Sequence, residues 1–400
     1  MIMTNYLRRD VLKTAGAFAL TSGALNARNA FAAGGAEATA YVGTYTAGAD
    51  NHGEGIYRFR VNLETGELTN RKLAVKTPNP TWLVIAPSKK FLYAINEVTD
   101  FAGGNGSVSA FAIEPGGALR LLNTVSSTGA GPAHMSLDAT GKFAFVANYI
   151  GGSIAVLPVH DDGTLGDAVD THRDLNSVGP ARPANAPPGS FAFSGHDAPH
   201  AHMIAADPAN KFVLSTDLGQ DRIYSYALDA SSGKLNSRGV LTLLGGAGPR
   251  HFAFHPNGHW MYAITEESSQ IVFMNYDQAT GAPAIKQIHS ALPAGFEGTS
   301  FGSEIAVAPG GKFVYSANRL HDTISIFAIG EDGDPKFIGE ASTMGDYPRH
   351  FAIDPSGSFL FACNQHSDSV TSFRIDNGTG KLSFTGKYAG VGSPAMIALL

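Results

Sequence analysis

Cysteine is almost missing from this chain: Cys363 is the only one in 400 residues, so no internal disulfide can brace the fold. Charge is scarce as well. Asp, Glu, Lys and Arg make up 16 % of the sequence, and the formal net charge is −6. Beyond residue 32 there are 24 basic and 33 acidic residues, a balance of −9. Such a chain lacks the basic footprint that nucleic acid requires, so nucleic acid is excluded as a partner. No segment is long and apolar enough for a membrane span. There is no Gly-x-Ser-x-Gly, no defensible Ser-His-Asp spacing and no phosphate-binding loop; Asn148–Ser153 (NYIGGS) reads as a turn. What is plentiful is glycine, 47 residues, and hydrophobic side chains, 44 %. That combination suits short strands and tight turns around an ample core. Cys363 lies in a strand pattern and is expected to be a buried apolar thiol.

The N-terminus carries paired Arg8 and Arg9, then a mildly apolar stretch, and the tripeptide AFA ends at Ala32. This resembles a twin-arginine signal peptide with a small-residue cleavage site. The expected division is a signal over 1–32 and one domain over 33–400, exported already folded by the twin-arginine machinery to the periplasm or beyond.

A period of about 50 residues dominates the rest. It reads DATGKFAFVANYIGGSIAVL at 138–157, HPNGHWMYAITEESSQIVFM at 255–274, APGGKFVYSANRLHDTISIF at 308–327 and DPSGSFLFACNQHSDSVTSF at 354–373. Weaker copies occupy 86–97 and 207–226. Each repeat reads as four antiparallel strands, a to d from channel to rim, built from alternating apolar and polar positions. The aromatic run is strand b, and seven such runs begin near Tyr41, Phe91, Phe143, Phe212, Trp260, Phe313 and Phe359. The pattern predicts a seven-bladed β-propeller. The first repeat lacks its strand a, and SPAMIALL at 393–400 has the pattern of one, so the C-terminus is expected to close the ring. Residues 166–199, rich in Pro, Ala and Gly, break the period as an insertion, either a functional lid or a flexible connection.

In this topology the start of strand a and the end of strand b share one face. Polar residues concentrate at those positions. Strands a begin with GPAH (131–134), PHAH (199–202), GPRH (248–251), Ser303-Glu304 and PRH (348–350). Strands b end in Asn96-Glu97, Asn148-Tyr149, Asp217, Thr265-Glu266, Asn318-Arg319 and Asn364-Gln365. Carboxylates, guanidiniums and imidazoles around one opening suit acid/base chemistry on an anionic or lactone-like substrate.

GPRHFAFHPNG, GSEIAVAPGGKFVYSANR and PRHFAIDPSGSFLFACNQ resemble the seven-bladed β-propeller lactonases, a family that includes 6-phosphogluconolactonases and fungal carboxy-muconate lactonizing enzymes. The resemblance covers about 38–400. It implies formation or hydrolysis of a lactone ring, a small-molecule lactone substrate and no cofactor. It also implies a site of His202, Arg250, Glu266 and Arg319 at the channel mouth, with Glu304, Arg349 and His134 as further substrate-binding candidates. Members often carry Asn-Glu where this chain has Thr265-Glu266, so the acid is kept and its neighbour is not. Glu266 or His202 could take a proton from water, and the planar donor forks of Arg250 and Arg319 could bind a carboxylate and developing negative charge.

Plainer readings stand beside these. Arg250 and Arg349 could simply tie loops to carbonyls, and Glu304 could anchor a blade. His251 and His350 are expected to pack between blades. His196, His200 and His202 have metal-like spacing, but they feed a strand from a loop and no carboxylate-rich cage accompanies them, so no metal is expected. The expected function is hydrolysis of a sugar lactone. Because 6-phosphogluconolactone is a cytoplasmic metabolite and this chain carries an export signal, an unphosphorylated aldonolactone fits better. A muconate-type lactonizing cycloisomerase, or a non-catalytic binding propeller, is the alternative. A monomer is expected.

Overall fold

A computed structural model describes residues 37–173, 176–193 and 195–400; the expected signal segment lies outside them. Described strands form seven sheets of four. Each is a blade, numbered here by the order of its strand b, and the fold is the expected seven-bladed propeller. Six blades use strands in sequence order. Blade 1 does not: Pro394–Leu399 pairs antiparallel with Glu37–Thr44, which continues through Gly55–Asn62 to Leu68–Lys76. The C-terminal strand therefore supplies the missing strand a, with Val42 opposite Ile397 and Leu400 N–H donating to Thr39 O at 2.8 Å.

The repeated motif has a clear local cause. Where the a–b turn opens with Asp, the carboxylate accepts backbone N–H groups inside the turn and fixes it. Asp138 Oδ1 takes Lys142 N and Phe143 N at 2.7 and 2.9 Å. Asp207 and Asp354 repeat the geometry on Lys211 with Phe212, and on Ser358 with Phe359. The aromatic that follows then crosses to the neighbouring blade. Phe313 of blade 6 lies flat on Gly380, in the c–d turn of blade 7, where φ is +74° and a Cβ would sit 2.5 Å from the ring. Two residues on, Tyr315 Oη donates to Gly380 O at 2.8 Å. Tyr262 does the same to Gly333, and Tyr41 to Gly117. Phe143, Phe212 and Phe359 rest on Gly233, Gly281 and Gly66 in turn.

The core consequently lies in the seams between sheets. One cluster joins Val42 and Phe59 of blade 1 to Phe359, Phe361 and Cys363 of blade 7. Cys363 is fully buried there, and burial pushes its thiol pKa up, as expected of an apolar thiol. One boundary needs correction. Asp170–Arg173, inside the 166–199 span assigned to an insertion, is strand d of blade 3, pairing Ile154 with His172. Only four residues long and polar (DTHR), it offers no apolar alternation to detect. The insertion proper begins after it.

Removing Ser393–Leu400 should abolish ring closure, leave Glu37–Thr44 as an open edge, and cost on the order of 5 kcal/mol or more. Thermal unfolding together with size-exclusion chromatography would check this; a truncated chain with unchanged midpoint and size would contradict the closure.

Candidate functional site

Strand a reaches the mouth irregularly in most blades. The register slips between Pro132 and His134, Ala201 and Met203, Pro249 and His251, and Pro348 and His350, against an unbroken strand b. Each slip is a β-bulge that inserts one extra residue and re-aims its side chain. The extra residues are Ala133, His202, Arg250 and Arg349. Three of the four are candidate site residues, so the bulge is the device that turns them to the opening.

The equivalent positions stack in three rings. Outermost are the residues at the mouth end of strand b, mostly one past its last residue: Tyr45, Glu97, Tyr149, Leu218, Glu266, Arg319 and Gln365. Next come Thr81, Ala133, His202, Arg250, Ser303, Arg349 and Ala395. Deepest are Trp82, His134, Met203, His251, Glu304, His350 and Met396.

Glu266 is the electrostatic centre. Its Oε2 meets Arg250 Nε at 3.0 Å and Arg319 Nη2 at 2.6 Å, and all three side chains are nearly buried. Arg250 also donates to Ser303 O, and Arg319 donates to Gly302 O at 2.9 Å and to Tyr347 Oη at 3.4 Å. Burial alone would raise the Glu266 pKa; Arg319 and then Arg250 outweigh it and hold the carboxyl below its ordinary range. His202 packs edge-on to Tyr149 and His251, with ring centroids 5.4 and 5.0 Å away. Its Nδ1 is buried without a hydrogen-bond partner. Burial, followed by Arg250 and other neighbouring cations, drives its pKa well down, so it is a neutral imidazole at neutral pH.

Arg349 is held more loosely than the other two arginines. Its Nη2 stands 3.8 Å from Glu97 Oε2, and its guanidinium lies 5.0 Å from the Tyr45 ring centroid. Glu97 is itself occupied, accepting Tyr45 Oη at 2.9 Å and Thr81 Oγ1 at 2.7 Å. Glu97 stands among the polar strand-b exits of the sequence but carries no site role there. The signal is positional: Glu97 follows Asn96, the last regularly paired residue of strand b in blade 2, just as Glu266 follows Thr265, the last residue of strand b in blade 5.

His134 and Glu304, expected to bind substrate, lie one ring deeper. Trp82 lies across the axis there, with centroid distances of 4.3 Å to His134 and 5.2 Å to both His251 and His350. His251 Nδ1 is 3.1 Å from Glu304 Oε1, and His350 Nε2 is 3.5 Å from Glu304 Oε2. The expectation that His251 and His350 pack between blades is thus corrected. They face the axis, because the bulge resets the inward and outward alternation after each arginine. Burial biases this layer to neutral forms, raising Glu304 and lowering His350 to about 4. Below the plug, Met135, Met203 and Ala398 help to line a cavity of about 400 Å³.

The three clustered histidines diverge. His196 turns to Asp221, His200 lies between Tyr149 O and Asp197, and His202 faces the mouth. Among the described residues, no group of three or more His, Cys, Asp or Glu has a metal-holding arrangement.

Comparison with known proteins agrees with this architecture. The family model described as "Lactonase, 7-bladed beta-propeller" matches residues 39–399. A 6-phosphogluconolactonase of Bacillus subtilis is 35 % identical, covering 90 % of this chain and 97 % of its own length. One from Pectobacterium carotovorum is 31 % identical over 80 % of this chain and 87 % of its own. The solved structure of a periplasmic gluconolactonase from Pseudomonas aeruginosa superposes with a TM-score of 0.81 at 27 % identity, covering 91 % of this chain and 99 % of that one.

Glu266→Gln should destabilise the fold by about 3–5 kcal/mol at neutral pH, since two buried guanidiniums lose their counter-charge. The sign with pH follows from the depressed pKa. The stabilisation is full above the unfolded carboxyl pKa and fades as pH falls through the lower folded value. Urea unfolding of both forms at neutral pH and at about pH 3 should show the gap narrowing on acidification; a gap that stays constant would mean that the pairing with Arg250 and Arg319 is not its source.

Proposed function

The chain belongs to the seven-bladed β-propeller lactonase family, and from that starting point we propose that it hydrolyses the unphosphorylated lactone of an aldonic acid outside the cytoplasm. Lactone hydrolysis itself is the activity named for its relatives. The observation that carries the reading is the Glu266 carboxylate fixed between Arg250 and Arg319 at the mouth, with the unpartnered Nδ1 of His202 in the ring below.

Ring opening needs a water deprotonated as it attacks, a cation where the carbonyl oxygen becomes negative, and a proton for the departing ring oxygen. Glu266 stays ionised through the working pH range, and both of its ion pairs use Oε2, so Oε1 takes part in neither. Neutral His202 offers a second acceptor. One of these two takes the proton from water as the C–O bond forms, and the same proton passes to the ring oxygen as the acyl bond breaks. Arg349, only loosely paired, has donors to spare for the carbonyl oxygen and then for the carboxylate of the product.

Charge supports the unphosphorylated substrate. Two of the three mouth arginines are committed to Glu266, and the three rings contain no lysine. A dianionic phosphate calls for a richer cationic cradle than one loosely held guanidinium. The Arg8-Arg9 segment supports an extracytoplasmic site of action, where the similar Pseudomonas aeruginosa protein is also placed by name.

Proton release from gluconolactone, its 6-phosphate and muconolactones would test the assignment. The unphosphorylated sugar lactone should give the highest kcat/KM. Glu266→Gln, though less stable, should remain folded at a low assay temperature, checked by circular dichroism, and there lower kcat by about 10²–10⁴, and Arg349→Ala should chiefly raise KM. Turnover of muconolactone alone would favour the cycloisomerase; full activity in Glu266→Gln would remove Glu266 from the chemistry. Changing Arg8 and Arg9 together to Lys should hold the precursor in the cytoplasm, as read by cell fractionation.

A further inference from the structure

Behind Glu266 lies a second buried acid that the hydrolytic scheme does not use. Glu267, His196 and Asp221 come from three separate segments: the turn after strand b of blade 5, the insertion, and the turn after strand b of blade 4. Their side chains are 0 %, 0 % and 3 % exposed. His196 Nε2 is 3.1 Å from Asp221 Oδ1, and His196 Nδ1 is 3.6 Å from Glu267 Oε1. That 3.6 Å contact is longer than a hydrogen bond, and His196 Nδ1 and both Glu267 oxygens are buried without a hydrogen-bond partner.

The cluster is wired to the catalytic strands. Asp221 accepts Gly246 N at 2.6 Å and Gly248 N at 2.8 Å, two residues before Arg250. Glu266 N in turn donates to Gly248 O at 2.7 Å. Gly248 has φ +66°, and a Cβ there would fall 1.5 Å from Glu267 Oε2, so the glycine of GPRH is required by this acid.

We infer that His196, Asp221 and Glu267 form a one-proton latch that seats the insertion against the mouth and fixes Arg250 and Glu266, making His196 and Glu267 positioning residues for hydrolysis. Proton accounting supports it. Asp221 is an acceptor from two amides, so the imidazole donates Nε2–H to it. His196 Nδ1 and Glu267 Oε1 then face each other 3.6 Å apart with one proton to share, and burial beside Glu266 favours its residence on Glu267. The groups facing Glu267 agree: burial, then Glu266 and Asp221, raise its pKa well above the ordinary carboxyl range, outweighing the opposing effects of its own backbone N–H and of Arg319. Loss of the shared proton leaves two buried carboxylates around His196, with Glu266 adjacent, and unseats the latch.

This rests on Glu266 as the hydrolytic carboxylate, and its test has a readout independent of turnover. Hydrogen-exchange mass spectrometry of segments 176–193 and 244–250 would be run across pH on wild type, Glu267→Gln and His196→Ala, alongside kcat and KM. The Gln amide can donate to Nδ1 but cannot titrate. Wild type should lose protection of both segments and kcat together on the alkaline side, and Glu267→Gln should shift or abolish that limb in both readouts. His196→Ala should expose both segments and lower kcat at least about tenfold, with KM changed far less. An alkaline limb identical in wild type and Glu267→Gln would overturn the latch. Exposed segments with unchanged kcat in His196→Ala would overturn the positioning role. If Glu266→Gln is fully active while exchange still follows Glu267, the chemistry assigned to Glu266 fails and the latch stands.

Discussion

The contact on which everything else rests is an aromatic ring laid on a glycine of the next blade. Phe313 on Gly380 is one instance, and the hydroxyl of Tyr315 bonded to the same glycine's carbonyl locks it in register. Repeated around the circle, this contact sets the spacing and tilt between sheets. No blade could bury both of its faces alone. The seam also accounts for the position of the core, which lies between sheets rather than within one. With the spacing fixed, seven strand ends meet at one opening, and residues as distant in sequence as Tyr45 and Arg349 come within contact.

At that opening electrostatics take over from packing. Three guanidiniums sit at a largely desolvated opening, an arrangement that is stable only because carboxylates are interleaved with them. Glu266 neutralises two, and Glu97 partly neutralises the third. The asymmetry between the tightly held Arg250 and Arg319 and the loosely held Arg349 divides them into structural and available cations. One ring deeper the chemistry reverses: Trp82, His134, His251, Glu304 and His350 form an axial plug biased to neutral forms. Charge is thereby confined to the face where substrate would arrive.

Much of this was legible in the sequence because it is periodic. The seven aromatic runs gave the blade count, and the orphan SPAMIALL strand gave the closure. The paired polar residues at strand ends located the mouth, and the structure does bring His202, Arg250, Glu266, Arg319 and Arg349 together there. What escaped was whatever breaks the period. A bulge is one unpaired residue and leaves no compositional mark, so the inward turn of His251 and His350 could not be read from simple alternation. The strand Asp170–Arg173 is short and polar, and it resembled loop. His196, Asp221 and Glu267 are far apart along the chain and share no motif; only the folded geometry makes them neighbours.

The pairing of Thr44 with Pro394, at opposite ends of the domain, carries a consequence for how the molecule comes into being. On the ribosome the earliest blade emerges three-stranded and must wait for nearly all of the remaining polypeptide before it is completed. During that interval its naked flank is a template for mispairing with any strand nearby, including one from another nascent copy. Maturation is therefore completed by a late, long-range pairing with a large loop-closure entropy, and biogenesis should be slow.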